Sequence, residues 1–258
     1  MIELFSEIVR YRQLIWALAL KDLKIRYKRS VLGFLWALLN PLLLMIVLTI
    51  VFTTIMAQNI PHYAIFLLSV LLPWTFFSQS LSYAADSIVG NGDLIKKVKV
   101  AKLVFPVAAV VSNLINFLLS MIPLILILVA LRFPFHWTWI YLPVPLLALS
   151  LLTLGGTFFF AAANVYYRDV AHILQNLLNV LFYITPIIYS IDLMPPQYRW
   201  LFRINPLGYI FNGFRLSVYW GLLPTLASVI ACFVCAFIAL GFGYWMFKKH
   251  EDEFVFYV

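Results

Sequence analysis

Apolar and polar positions in this chain fall in long blocks. From Ser30 to Ala85 no Asp, Glu, Lys or Arg interrupts the sequence. A bilayer's hydrocarbon core is about 30 Å thick and takes roughly 20 apolar helical residues to cross. The run is long enough for two crossings, and Gln58-Asn59-Ile60-Pro61-His62 supplies a polar, proline-broken turn between them. Four further charge-free runs follow, at 103–131, 133–167, 170–191 and 216–247. The pattern predicts six transmembrane helices, over about 33–56, 63–85, 107–131, 141–164, 170–190 and 224–247.

Composition agrees with an all-α integral membrane protein. The chain is 64% hydrophobic and 11% charged, against about 25% charged in soluble domains. The basic N-terminal stretch lacks the short apolar region and small-residue cleavage site of a secretory signal. A net charge of +8 could suggest nucleic acid, but in a membrane protein the placement of the bases carries the information. With the N-terminus inside, 14 of the 18 Lys and Arg fall in cytoplasmic segments. The positive-inside rule therefore predicts both termini in the cytoplasm and no nucleic-acid partner. Trp137, Trp139, Tyr141, Tyr166 and Tyr167 read as interfacial belt residues. Cys232 and Cys235 form a CxxC inside an apolar run, with no second pair or flanking His, and read as small hydrophobes.

Three segments are not spans. Over 2–28, Leu4, Ile8, Tyr11, Ile15 and Leu18 recur at helical spacing, which predicts an amphipathic interfacial helix lying on anionic headgroups. Over 93–105, Asp93 is placed to cap a short helix carrying Leu94, Val98, Ala101 and Phe105 on one face, with Lys96, Lys97, Lys99 and Lys102 alongside. That helix either presses on a partner protein or is an ordinary basic loop. The external segment 192–220 is rich in Pro, Tyr, Trp and Phe, unlike a solvated loop. It predicts short re-entrant helices, which line a pathway as a gate or form a simple surface cap.

The spans carry almost no ionisable side chain apart from His172, so no proton relay, ion coupling or hydrolytic centre is visible. There is no phosphate-cradling glycine loop of the Walker type, so any energy for uphill transport must come from another chain. Asn113, Asn116, Gln175, Asn176, Asn179, Ser78 and Gln79 lie within spans and read as interhelical hydrogen-bonding groups or as substrate contacts. Gly155-Gly156 predicts close helix approach.

Arg26-Tyr27-Lys28-Arg29-Ser30-Val31-Leu32-Gly33-Phe34-Leu35-Trp36 with Asn40-Pro41-Leu42, Tyr167-Arg168-Asp169-Val170, and Asn205-Pro206-Leu207-Gly208-Tyr209 with Phe214-Arg215 resemble the permeases of polysaccharide-exporting ABC transporters. The resemblance covers essentially the whole chain. It implies one half of an exporter of lipid-linked O-antigen, capsule or teichoic-acid-like glycan, in the bacterial inner membrane. Two copies would form the pathway above two ATP-binding subunits, which would hold ATP and Mg; the chain itself would need no cofactor or metal and would not be an enzyme. Coupling to the ATPase would fall to Asp93, Leu94, Ile95, Lys96, Lys97, Val98, Lys99 and Lys102, with Arg168 and Asp169 making a smaller contact. Trp36, Phe52, Tyr83 and Tyr183 are candidate glycan contacts, and Lys24, Lys28 and Arg29 candidate phosphate or headgroup contacts. Tyr198, Trp200, Asn205, Pro206, Tyr209 and Arg215 would belong to the external gate. A permease for drugs or lipids, or a passive pore, are the alternatives.

Overall fold

The computed structural model describes residues 2–28, 32–33, 35–57, 59–97, 100–191 and 194–258, and no strand occurs among them. Five described helices are long and apolar enough to cross a membrane. The first comprises α3 (Leu35–Thr49) and a wider π-type turn over Ile50–Ile55. It is followed by α4 (Tyr63–Ala85), α6 (Val104–Ala130), α7 (Pro143–Tyr166, led in by a 3-10 turn at Trp137–Tyr141) and α11 (Leu226–His250). Helix α4 is the axis of the fold. In its most apolar stretch 78% of residues are buried by the chain itself, against 11% for the first span. The first span therefore leaves most of its surface for lipid or for another protein.

Helices α7 and α11 approach most closely. A Cβ added to Gly155 would strike the backbone of Ala239 and Leu240, and one added to Gly243 would strike the Gly155 carbonyl. Gly156 faces the Leu81 side chain on α4. In lipid, where apolar surfaces gain little from meeting, such close backbone contact supplies the dispersion energy that holds helices together.

Several boundaries differ from the sequence pattern. The N-terminal helix over 2–28 is two helices, α1 (Ile2–Arg10) and α2 (Arg12–Tyr27), broken at Tyr11. Its apolar stripe faces the bundle, with Leu4, Ile15 and Leu18 buried. The helix expected over 93–105 ends early: α5 is Gly92–Lys97, entered through a 3-10 turn at Val89–Asn91. Asp93 accordingly lies in the first turn of α5 instead of capping it. Leu103 and Phe105 are buried at the start of α6, whose pattern begins three residues earlier than expected.

The fifth apolar run yields α8, Val170–Ile184, only 15 residues long. At 1.5 Å per residue that is about 22 Å, short of a full crossing. Beyond it, α9 (Arg199–Ile204) and α10 (Pro206–Arg215) lead through a π-type turn, Leu216–Trp220, to α11. After α11 a 3-10 turn (Glu251–Glu253) and α12 (Phe254–Tyr257) fold back onto α5 and α7.

Candidate functional site

A cleft of about 480 Å³ opens between α3, α4, α6 and α8. Its walls carry amides and hydroxyls from Asn40, Thr75, Ser78, Gln79, Asn113 and Asn116, interleaved with Trp36, Trp74 and Tyr83. Amides with aromatic faces are the chemistry that hydrogen-bonds hydroxyls while stacking on C–H surfaces. The cleft is floored by Arg26. Its Nη1 donates to Asn113 Oδ1 at 3.0 Å, and its guanidinium lies 4.0 Å from the Tyr83 ring centroid. Asn113 in turn donates to the Ala109 carbonyl at 2.9 Å, which fixes its amide orientation.

Arg26 and Tyr83 also line a second cavity of about 300 Å³, with Asp22, Asp86, Ser87, Asn91 and Ser112. Burial pushes the Asp22 carboxyl above its ordinary range, while the charges of Lys21 and Arg26 pull it partly back. Arg26 thus stands between a pocket at the end of the interfacial helix and the polar cleft in the bundle.

Helix α8 gives one residue, Phe182, to the cleft. Gln175, Asn179 and Phe182 follow at i, i+4 and i+7. Gln175, Asn176 and Asn179 are exposed and make no hydrogen bond among the described residues. An amide facing hydrocarbon without a partner costs on the order of a few kcal/mol, so this face belongs against water or another polar surface.

On the side opposite the interfacial helix, the break after α8 is held by side chains from elsewhere. Arg215, 7% exposed, donates from Nη1 to the Pro186 carbonyl at 2.8 Å and from Nη2 to the Ile187 carbonyl at 2.7 Å. Its guanidinium lies 3.9 Å from the Phe66 ring centroid. Tyr63 donates to the Ile188 carbonyl at 2.6 Å, and Asn205 Nδ2 to Thr185 Oγ1 at 2.8 Å. Asn205 also caps α10 by accepting from the Leu207 N–H at 3.0 Å, with Pro206 at the first helical position. Tyr219 closes the ring by donating to the Pro61 carbonyl at 2.6 Å. The Asn-Pro-Leu…Arg pattern is therefore a helix start and a carbonyl clamp.

At the other end, Asp93, Leu94, Lys96 and Lys97 of α5 are exposed, as are Tyr167, Arg168 and Asp169 in the α7–α8 turn. Ile95 faces inward and is buried. Asn164, 1% exposed, ties this end together: Nδ2 donates to the Ala85 carbonyl and to Asp86 Oδ1, each at 3.0 Å, and Oδ1 accepts from the Ala171 N–H at 3.2 Å.

The sequence-derived candidates divide accordingly. Trp36 and Tyr83 line the cleft. Phe52 does not line it; its ring stacks on Tyr63 at 5.8 Å. Tyr183 is exposed at the end of α8, and its carbonyl accepts from the Tyr189 hydroxyl at 2.9 Å. Lys24 and Lys28 are exposed, whereas Lys102 is drawn into contact with Glu251. Tyr198 and Trp200 are exposed, Pro206 and Tyr209 are half-buried, and Arg215 is interior. Arg29, Val98 and Lys99 lie outside the described residues. Arg26 stands out in the sequence only as the start of the Arg26–Trp36 motif, without a role of its own, and Asn164 does not stand out. The signal for Arg26 was present: Ile15, Leu18, Asp22 and Arg26 continue one helical stripe, so the base among several that turns inward was marked by register.

Comparison with known proteins places this arrangement. The model of the ABC-2 type transporter family matches residues 13–219. The O-antigen export system permease protein RfbA of Myxococcus xanthus is 36% identical over 98% of both chains. A protein of the same name from Klebsiella pneumoniae is 30% identical, covering 91% of this chain and 90% of its own. The polysialic acid transport protein KpsM of Escherichia coli is 24% identical, over 92% of this chain and 93% of its own. Matched along most of its length by the family and nearly end to end by these relatives, the chain belongs to the ABC-2 type transporter family.

Proposed function

We propose that this chain is the permease half of an ATP-driven exporter, moving a lipid-linked polysaccharide from the cytoplasmic to the outer side of a bacterial inner membrane. The observation that carries the proposal is the amide- and aromatic-lined cleft, with the exposed polar face of α8 in helical register with its lining residue Phe182. Such a face is stable in a bilayer only beside water or a polar partner. A second copy of the chain facing α3 and α8 would enclose it, and a hydroxyl-rich glycan would match its donors and acceptors. The relatives' names supply the substrate class.

In this reading the chain crosses six times, α8 and its clamped extension making the fifth crossing, with both termini cytoplasmic. ATP and Mg belong to a separate ATP-binding subunit. That subunit docks on the exposed face of α5, with Arg168 and Asp169 giving a smaller contact. Closure of the ATP-binding subunits displaces α5, and the rigid bundle carries the motion to the cleft. Arg26, beside the cleft's cytoplasmic end, is placed to meet the anionic phosphate of a lipid-linked substrate before the sugars reach the amides.

The test is co-purification with the ATP-binding subunit, followed by hydrolysis assays with and without lipid-linked glycan. Stimulation is expected, and a flat response overturns the substrate class. Lys96→Glu with Lys97→Glu is expected to abolish association; unchanged association sinks the docking assignment.

A further inference from the structure

We infer that residues 251–258 are a positioning strap that makes α5, the α7–α8 turn and the end of the last span move as one body. Every link is a named contact. Glu251, 8% exposed, accepts the Lys102 backbone N–H on Oε1 at 3.1 Å and pairs with Lys248 Nζ through Oε2 at 2.8 Å. The Lys102 ammonium donates to the Glu251 carbonyl and lies 6.0 Å from the Phe254 ring centroid. Residues 100–103, the joint between α5 and α6, are thereby tied to the end of α11.

The next residues reach the other loop. Phe254 is fully buried, its ring 5.2 Å from Phe247 and 6.3 Å from Tyr166. Tyr166 donates to Glu253 Oε2 at 2.6 Å, and the Tyr166 and Tyr257 rings lie 4.8 Å apart. Arg168 donates to the Tyr257 carbonyl at 3.3 Å. Val258 then covers Gly92, so closely that a Cβ there would lie 3.2 Å from the Val258 Cβ. A third tie runs from Lys248 to Glu7 of α1 at 3.1 Å.

The consequence is mechanical. Helix α5 is too short to be a stable lever by itself, since helices of one or two turns have little intrinsic stability. Backed by Val258 at Gly92, and with Lys102 of the following joint held to Glu251 by charge-assisted contacts, it transmits a push to α11 instead of yielding to it. This inference rests on the docking role proposed for α5, and Glu251 acts through Lys102 without touching substrate.

Two experiments on the complete transporter test it. In a background with Cys232 and Cys235 replaced by alanine, Gly92→Cys with Val258→Cys is oxidised with copper–phenanthroline in inside-out membrane vesicles, away from the reducing cytosol, and ATP-driven glycan transport into the vesicles is measured. The disulfide is expected to form, because the 3.2 Å Cβ–Cβ separation has to widen by only a few tenths of an ångström to reach the ordinary value of about 3.5–4.5 Å, and export is expected to continue. No disulfide, or export lost on oxidation and restored by reductant, overturns the strap. Separately, Glu251→Ala is expected to keep the ATP-binding subunit bound and its basal hydrolysis intact while export falls by about fivefold or more, the lower end of ordinary coupling effects. Glu251→Gln, which retains the acceptor for Lys102, is expected to restore export. A merely structural role would lower complex yield, hydrolysis and export together, and that result overturns the inference. Dissociation by Lys96→Glu with Lys97→Glu reads docking alone, so failure of docking and failure of the strap are separable.

Discussion

Gly243 on α11 sits against the carbonyl oxygen of Gly155 on α7, leaving no room for a Cβ. The obstacle is backbone, which cannot rotate away as a side chain can. Gly243→Val is therefore expected to destabilise the chain by roughly 1–3 kcal/mol, the usual range for overpacking. Gly156→Ala meets only the flexible end of Leu81 and should cost less. Thermal unfolding in detergent would rank the two, and equal losses would contradict the packing.

Arg26 should not tolerate lysine. A compact ammonium has neither the planar fork that reaches Asn113 nor the flat face that stacks on Tyr83. Arg26→Lys is expected to lower export nearly as far as Arg26→Ala, while Lys24→Ala, at an exposed position, stays near wild type. Surface glycan measured at matched membrane levels decides it.

Arg215→Ala strands the Pro186 and Ile187 carbonyls, which it now satisfies. Each buried unsatisfied group costs about 1–3 kcal/mol. The expected result is protease sensitivity between α8 and α10 in right-side-out cells, with little restoration by Arg215→Lys. Resistance equal to wild type would show that the clamp is unimportant.

Gln175→Leu with Asn179→Leu separates pathway from packing. If the α8 face meets lipid, leucine should improve insertion and leave export unchanged. The expected outcome is normal or raised membrane yield with export reduced several-fold, because the proposed pathway loses the polar face of α8.

The spans were legible because a bilayer selects on composition, and Tyr63–Ala85 needed no more than that. The polar residues of α8 were visible too, but not that they stay exposed in the fold, which depends on neighbours distant in sequence. The early stop at Ile184 is marked by Pro186, which holds Thr185 extended, but the clamp beyond it was not legible, since its donors come from Tyr63 and Arg215. Phe105 repeats with helical period after Leu94, yet it packs at the start of α6. Periodicity alone cannot say which of two consecutive helices owns a residue. Residues 251–258 carry no period at all, and only tertiary contact reveals their place.

The shortness of α8 bears on the barrier itself. Its 15 residues rise about 22 Å, and beyond Ile184 side chains hold the backbone carbonyls of Pro186, Ile187 and Ile188. A hydrophilic chain sliding along this helix would face an insulating layer several ångströms thinner than the lipid around it. With α8 as a wall of the proposed pathway, part of the barrier to the cargo is removed before any helix moves.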